Sequence, residues 1–290
     1  MNGFDSLHSS TMYGLRMKTL FFLGLTAFAS AKPSLINDAA AISSFEKGIG
    51  AYSDEEKSYT AEKFVKELKA APESIADLKL ATEAPEKADS AVYLVGAVYN
   101  CGKCEHWHAA GIASAWALTS DGVMVTNYHV FEKAKGDVMG VSDLKGRAYP
   151  VTKVLAASKV NDIVIFQTTA TDIAAFPLGA AAEVGSELHV ISHPKKRFYT
   201  HTTGIVSRYH LRPNKDEKKP TIWMSITADY AVGSSGGPVL NSEDHIVGMV
   251  SNTQSIYYGS NPGEEPKGPL QMVIKNCVPV SAIKAITGKK

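Results

Sequence analysis

The feature that most constrains the fold is a series of short β-type segments that starts at Ala91. Runs of β-branched and aromatic residues alternate with turn residues along the rest of the chain. These runs cover 91–99, 112–118, 123–130, 162–168, 187–192, 198–209, 221–227, 238–240, 246–253 and 270–274. Asp121-Gly122 lies between two of them and is a strong hairpin signal. Roughly a dozen strands at such spacing predict an all-β sandwich or a pair of barrels, and residues 281–286 are predicted to form a closing helix.

Composition excludes several functional classes. Thirty Lys and Arg against 29 Asp and Glu leave a net charge of +1, which argues against a nucleic-acid-binding protein. A hydrophobic fraction of 44% excludes an intrinsically disordered chain, and three cysteines are too few for a disulfide-built miniprotein. The functional class must therefore come from motifs.

The N-terminus has the pattern of a secretory signal peptide. The basic residues Arg16 and Lys18 precede the apolar run 19–28, and Ala29-Ser30-Ala31 supplies a small-residue cleavage site. The run is too short for a membrane span, which needs about 20 apolar residues; a buried N-terminal helix is the less favoured alternative. We therefore expect a signal peptide over residues 1–31, with Met17 as the natural start, and an exported mature chain without a stable membrane span.

Residues 32–90 are predicted to form a helical N-terminal extension. The sequence 53–56 (Ser-Asp-Glu-Glu) resembles a capping box, and apolar residues then recur at near-helical spacing until Pro72. A second short helix is expected over 74–80. The extension could be an arm packed on the main domain, a propeptide or an oligomerisation arm.

Three short motifs carry chemistry. His129 follows a predicted strand in the segment 126–130, Asp162 leads into the apolar run 163–166, and Ser235 lies in the glycine-rich turn 233–240. A serine hydroxyl is a poor nucleophile at neutral pH unless a base takes its proton. A histidine supplies that base, and an aspartate fixes the imidazole tautomer and stabilises the imidazolium. Each motif alone is more often a plain turn or strand end, but the combination predicts a nucleophilic hydrolase.

The glycine-rich turn has a second predicted role. Acyl transfer places negative charge on the substrate carbonyl oxygen, and two backbone N–H groups must already point at it. Gly233 would allow its own N–H and that of Ser235 to converge on that oxygen. We therefore expect Gly233 and Ser235 to form an oxyanion hole.

These motifs and their surroundings resemble the trypsin-like serine peptidases, and among them the bacterial Deg/HtrA-type protease domains. The similar segments include 113–130, 203–207 and 246–251, and the resemblance covers about residues 91–287. It implies a double six-stranded antiparallel β-barrel over 91–290 and endopeptidase activity on proteins or peptides, with no cofactor. It also implies that His129 is the general base, Asp162 its orienting carboxylate, Ser235 the nucleophile and Gly233 an oxyanion donor.

The sequence also departs from that family. Ser234 stands where many digestive-type relatives have the Asp that pairs with a newly cut N-terminus, so activation by that route is not expected. After Ser235 there are 290 − 235 = 55 residues, which predicts a protease domain without a peptide-binding PDZ domain. An oligomer is possible but not implied.

Substrate preference is weakly encoded. Asp229 lies six residues before Ser235, where trypsin places the carboxylate that binds basic side chains, although a local pairing of Asp229 is slightly favoured. Ser251, Asn252 and Thr253 are further candidates for substrate binding.

The cysteines allow several interpretations. Cys101 and Cys104 form a Cys-x-x-Cys pair that is followed by His106 and His108, and Cys277 lies far along the chain. In an exported protein a disulfide is the favoured outcome, either Cys101–Cys104 or one of them with Cys277. A zinc site is a minor alternative because the two histidines lie so close to Cys104 that they would crowd one ion, so no metal ligand is assigned.

Two functional hypotheses follow. The first is an exported serine endopeptidase, periplasmic or extracellular, that works through an acyl-enzyme. The alternative is a catalytically silent protease homologue that binds peptides or partners on the same scaffold.

Overall fold

The computed structural model describes residues 35–53, 60–212, 220–261 and 264–288. The predicted signal peptide and its Met17 start lie outside these residues, as do positions 54–56 of the predicted capping box. No helix within the described residues is both long enough and apolar enough to cross a membrane.

Six antiparallel strands of the N-terminal half close into a barrel in the order β1-β2-β3-β6-β5-β4. Their bounds are β1 Val92–Asn100, β2 Trp107–Ala117, β3 Val123–Thr126, β4 Val138–Ser142, β5 Ala148–Ser158 and β6 Ile163–Thr168. Strands β1 and β4 pair with each other and close the ring. The sequence patterns missed β4 and β5. Gly140 interrupts the apolar run of β4, and a Cβ there would lie 2.2 Å from the side chain of Ile49. Two register shifts in the pairing of β5 with β6 interrupt the alternation of inward-facing and outward-facing residues along β5.

Six strands of the C-terminal half form a second closed barrel in the order β10-β11-β12-β9-β8-β7. Their bounds are β7 Glu187–Ser192, β8 Thr200–Arg212, β9 Thr221–Ile226, β10 Pro238–Leu240, β11 Ile246–Tyr257 and β12 Leu270–Pro279. The closing helix is α4, Val280–Ile286. The prediction of a double six-stranded antiparallel barrel with a C-terminal helix is confirmed.

The two barrels share a continuous apolar core. Trp116 and Phe176 of the N-terminal half belong to the same buried cluster as Leu240 and Met249 of the second barrel, together with Ile283 of α4. Burial of large aliphatic and aromatic side chains is the main favourable term in folding. The barrels are therefore held against each other by buried side chains from both.

Two helices precede the first barrel: α1, Asp38–Gly50, and α2, Ala61–Ala70. The Asn37 side chain caps α1 by accepting a hydrogen bond from the Ala40 N–H at 3.0 Å. Thr60 is the N-cap of α2, so that helix begins later than the predicted cap at Ser53.

The helix predicted over 74–80 is wrong. This segment has no helical residues, and Asp77 has a positive φ of 64°. The Ile75 N–H donates instead to the carbonyl of Ile286 in α4 at 2.8 Å. A tertiary contact has overridden a weak local propensity.

Candidate active site

A cleft of about 680 Å³ receives residues from both barrels. The first barrel and the segments that connect its strands contribute Gly111, His129 and Asp162, and the second barrel contributes Gly233 and Ser235. Residues that lie 106 positions apart in the chain, His129 and Ser235, thus reach the same space. The cleft brings the three predicted motifs together.

His129 lies on a short helix, α3, Tyr128–Glu132, that directly follows β3. The prediction of a strand over 123–130 is wrong beyond Thr126, because the Val130 N–H turns back to the Asn127 carbonyl at 3.2 Å. The imidazole Nδ1 lies 3.0 Å and 2.9 Å from the two carboxylate oxygens of Asp162, and Nε2 lies 3.0 Å from Ser235 Oγ. A carboxylate only accepts hydrogen bonds. A neutral His129 therefore carries its proton on Nδ1 and accepts at Nε2 from the Ser235 hydroxyl.

Asp162 is fixed by donors from three directions. The His129 backbone N–H donates to Oδ1 at 3.1 Å, and Ser251 Oγ donates to Oδ2 at 2.6 Å. The Asn127 side-chain amide donates to the Asp162 carbonyl at 3.1 Å. Asp162 has a φ of 56°, a region that Asp visits more readily than most residues. The carboxylate is thereby held where it can orient the imidazole.

In the turn 233–237, three of the five backbone N–H groups donate to carbonyls of described residues. Gly233 has a φ of 99°, and a Cβ at this position would lie 2.4 Å from the His193 carbonyl oxygen. The N–H groups of Ser234 and Gly237 donate to backbone carbonyls at 2.9 Å. Within the described residues, no backbone carbonyl accepts a hydrogen bond from the N–H groups of Gly233 and Ser235. Among the described residues, the two predicted oxyanion donors are thus the N–H groups of this turn that backbone carbonyls leave available.

Ser114 of β2 links this turn to the first barrel and was not predicted. Its hydroxyl donates to the Gly233 carbonyl at 3.0 Å and accepts from the His193 N–H at 3.2 Å. Its own N–H donates to the Ser235 carbonyl at 2.9 Å. The available sequence signal was a single hydroxyl inside the apolar strand segment 113–117, which is too common to single out.

His193, next to Ser114, is fully buried. Burial lowers the pKa of its imidazole to about 4, so the ring is neutral at pH 7. Its Nδ1 accepts a hydrogen bond from the Tyr199 N–H at 3.0 Å.

The buried residue Ser234 accepts a hydrogen bond from Ser192 Oγ at 2.9 Å. A neutral pair of hydroxyls thus occupies this buried position.

The substrate-side candidates separate into two groups. Ser251, Asn252 and Thr253 line the cleft, and the Ser251 hydroxyl is engaged with Asp162. Asp229 is not among the cleft-lining residues. Its exposed carboxylate pairs with Lys275 Nζ of β12 at 2.8 Å.

The three cysteines are free thiols, so the expected disulfide is absent between them in this structure. The sulfur atoms of Cys101 and Cys104 lie 3.4 Å apart, well beyond the roughly 2.05 Å of an S–S bond. Cys277 is fully buried in the second barrel and contacts the Tyr230 hydroxyl at 3.9 Å. Burial raises the pKa of the Cys277 thiol to about 12, which keeps it protonated and unreactive.

Comparison with known proteins agrees with this architecture. Residues 113–249 match the family described as trypsin-like peptidase domain. A probable periplasmic serine endoprotease DegP-like of Hahella chejuensis is 28% identical over 145 residues, which cover 49% of this chain and 30% of that protein. Protease Do-like 5, chloroplastic, of Arabidopsis thaliana is 28% identical over 162 residues, or 51% of this chain and 50% of that protein. The chain therefore spans half or less of the length of these relatives.

A solved structure shares the fold. The crystal structure of the serine endoprotease from Yersinia pestis superimposes with a TM-score of 0.50 at 17% identity, covering 70% of this chain and 66% of that one.

Proposed function

We propose that this chain, which carries a trypsin-like peptidase domain, is an exported serine endopeptidase that cleaves peptide bonds through an acyl-enzyme intermediate. The observation that carries the proposal is the 3.0 Å separation between His129 Nε2 and Ser235 Oγ, with Nδ1 of the same ring held by Asp162. Nucleophile, base and orienting carboxylate are thus within hydrogen-bonding distance in one cleft.

In the acylation step, Ser235 Oγ attacks the carbonyl carbon of the scissile peptide while its proton moves to His129 Nε2. The carboxylate of Asp162 stabilises the resulting imidazolium. His129 then gives this proton to the leaving amine, the C–N bond breaks, and the acyl group remains on Ser235. In deacylation a water molecule attacks the ester and passes its proton to His129, which returns it to Ser235 Oγ. The products are a free amine and a free carboxylic acid.

The negative charge of each tetrahedral intermediate would be stabilised by the N–H groups of Gly233 and Ser235. Both lack partners among the described backbone carbonyls, whereas the neighbouring Ser234 and Gly237 N–H groups are used inside the turn. Donors that are already oriented stabilise the transition state without reorganisation, and loss of one such donor costs about 100- to 1,000-fold in turnover.

The substrate backbone would lie along Asn252 and Thr253 in the cleft wall. We propose that the enzyme does not prefer basic side chains, because Asp229 lies outside the cleft lining and its exposed carboxylate pairs with Lys275. Export rests on the signal-like segment before residue 32 and on the names of relatives that are described as periplasmic.

A fluorophosphonate probe tests the proposal, because it forms a stable covalent bond only with an activated serine. We expect labelling of the wild type at Ser235, loss of labelling in Ser235→Ala and in His129→Ala, and peptide hydrolysis that follows the same pattern. Ser255→Ala is the matched control, since Ser255 is an exposed serine on β11. A folded wild type that neither reacts with the probe nor hydrolyses peptides would overturn the proposal and favour the alternative, a catalytically silent homologue.

A further inference from the structure

The hairpin of β1 and β2 brings together two sulfur atoms and one imidazole nitrogen that the proposed proteolysis does not use. Cys101 Sγ and Cys104 Sγ lie 3.4 Å apart, and Cys104 Sγ lies 3.1 Å from His108 Nε2. All three donor atoms are within 4.8 Å of one another. Cys104 is exposed and Cys101 is partly exposed, so an ion can reach them from solvent.

These separations fit a tetrahedral metal centre. With Zn–S bonds of about 2.3 Å and a Zn–N bond of about 2.0–2.1 Å, tetrahedral angles place two sulfurs about 3.8 Å apart and a sulfur and a nitrogen about 3.6 Å apart. The observed distances of 3.4 Å and 3.1 Å are slightly shorter. Small rotations of partly exposed side chains would open the group enough to admit the ion.

The backbone of the hairpin fixes these ligands in place. Tyr99 pairs with His108 across the two strands, and their rings lie 5.6 Å apart. The Asn100 N–H donates to Asp137 Oδ2 at 2.9 Å, and Asn100 Oδ1 accepts from the Gly102 N–H at 2.8 Å. The turn that carries the Cys-x-x-Cys pair is therefore held by one hydrogen bond within it and one to Asp137.

We propose that Cys101, Cys104 and His108 form a zinc-binding site at the end of this hairpin. Thiolate and imidazole ligands favour Zn²⁺ over hard cations, and two thiolates balance its charge. Binding replaces one proton on each thiol, both of which pass to solvent, and a water molecule takes the fourth position. The sequence argument against a metal assumed that both nearby histidines would bind. Strand pairing instead selects His108, and His106 stays outside the group.

The site is tested with the full chain, its metal removed and its thiols reduced under anaerobic conditions. Co²⁺ serves as a spectroscopic substitute for Zn²⁺, because thiolate ligation gives charge-transfer bands in the near ultraviolet and tetrahedral geometry gives strong visible bands. We expect both sets of bands to saturate at one equivalent of Co²⁺ and to disappear when Zn²⁺ is added. Bound Zn²⁺ should also protect Cys101 and Cys104 from alkylation, as read by mass spectrometry.

Variants identify the ligands. Cys104→Ser and His108→Ala should weaken Zn²⁺ binding by more than the roughly 10- to 100-fold that loss of an outer-shell partner costs. His106→Ala and Cys277→Ser are the matched controls and should bind as the wild type does. Absence of thiolate-to-cobalt bands, equal loss in His106→Ala, or a Cys101–Cys104 disulfide that forms despite saturating Zn²⁺ would each overturn the proposal. None of these measurements depends on peptidase activity.

Discussion

Ser114→Ala tests whether the first barrel holds the turn 233–235, the proposed oxyanion hole, in the conformation needed for catalysis. The Ser114 hydroxyl is fully buried and connects the Gly233 carbonyl with the His193 N–H across the barrel interface. Gly233 itself has no side chain to restrict its backbone. The substitution removes the side-chain contact but leaves the bond from the Ser114 N–H to the Ser235 carbonyl, so the nucleophile should keep its place.

The substitution is expected to lower both the free energy of unfolding and kcat. Each buried backbone group that loses its partner costs about 1–3 kcal/mol, so the free energy of unfolding should fall by about 2–6 kcal/mol unless water enters. The bond to the Gly233 carbonyl contributes about 1 kcal/mol net, or about fivefold in the population of the competent turn. Complete loss of one oxyanion donor lowers kcat by about 100- to 1,000-fold, and this sets the upper limit for the effect on kcat. We therefore expect kcat to fall by between about 5- and 100-fold.

The assay is steady-state hydrolysis of a fluorogenic peptide, with the free energy of unfolding measured by urea denaturation. We expect kcat to fall while KM stays within about twofold, because the oxyanion interaction develops in the transition state. Ser142→Ala is the control: Ser142 is a buried serine on β4 and is not among the cleft-lining residues. An unchanged kcat in a destabilised Ser114→Ala would refute the positioning role, as would an equal fall of kcat in Ser142→Ala.

Three further predictions concern the cleft and its surroundings. Gly233→Ala places a Cβ against the His193 carbonyl at a φ of 99°, and we expect probe labelling and kcat to fall by about 100-fold or more. Burial lowers the His193 pKa from 6.5 to about 4. Between these two values the imidazole is protonated in the unfolded chain and neutral in the folded chain. The free energy of unfolding therefore falls by roughly 3 kcal/mol as the pH drops from 6.5 to 4. His193→Asn should flatten this slope in urea titrations at pH 7 and 5; an equally steep slope in the variant would assign the acid sensitivity to other groups. Asp229→Ala should leave the cleavage pattern of a peptide library unchanged, because Asp229 is paired with Lys275, and a selective loss of cleavage after Lys or Arg would contradict this.

The fold class was predictable because hydrophobic periodicity and turn residues are local signals. What escaped prediction depends on tertiary contacts. β4 was missed because Gly140, which makes room for Ile49 of α1, interrupts its pattern. The helix α3 replaced a predicted strand end around His129. The exception is α1, which lies inside the predicted helical extension but was not assigned as a separate helix, although the spacing of Ile42, Phe45 and Ile49 is a local helical signal.

The residues of the candidate site also differ in whether the sequence alone could identify them. His129, Asp162 and Ser235 could be proposed from sequence because the chemistry demands these residue types beside strands. Ser114 could not, because its partner Gly233 lies 119 positions away and a buried serine in a strand has no distinctive pattern. Residues that perform chemistry are thus easier to find from sequence than residues that position them.

The contacts of the N-terminal helices bear on whether residues 32–90 are a removable segment. Phe45 of α1 and Phe64 of α2 are fully buried, and Phe64 packs edge-on against Phe131 of α3 at 6.2 Å. Full burial of each such side chain contributes about 1.5–3 kcal/mol. The Glu46 carboxylate also accepts from the Ala109 N–H at 2.9 Å, close to Gly111 in the cleft wall. Removal of α1 and α2 would expose the core beneath α3, the helix that carries His129. It would also break the hydrogen bond that holds Ala109 near the cleft. These contacts therefore favour a permanent arm over a propeptide whose loss activates the enzyme.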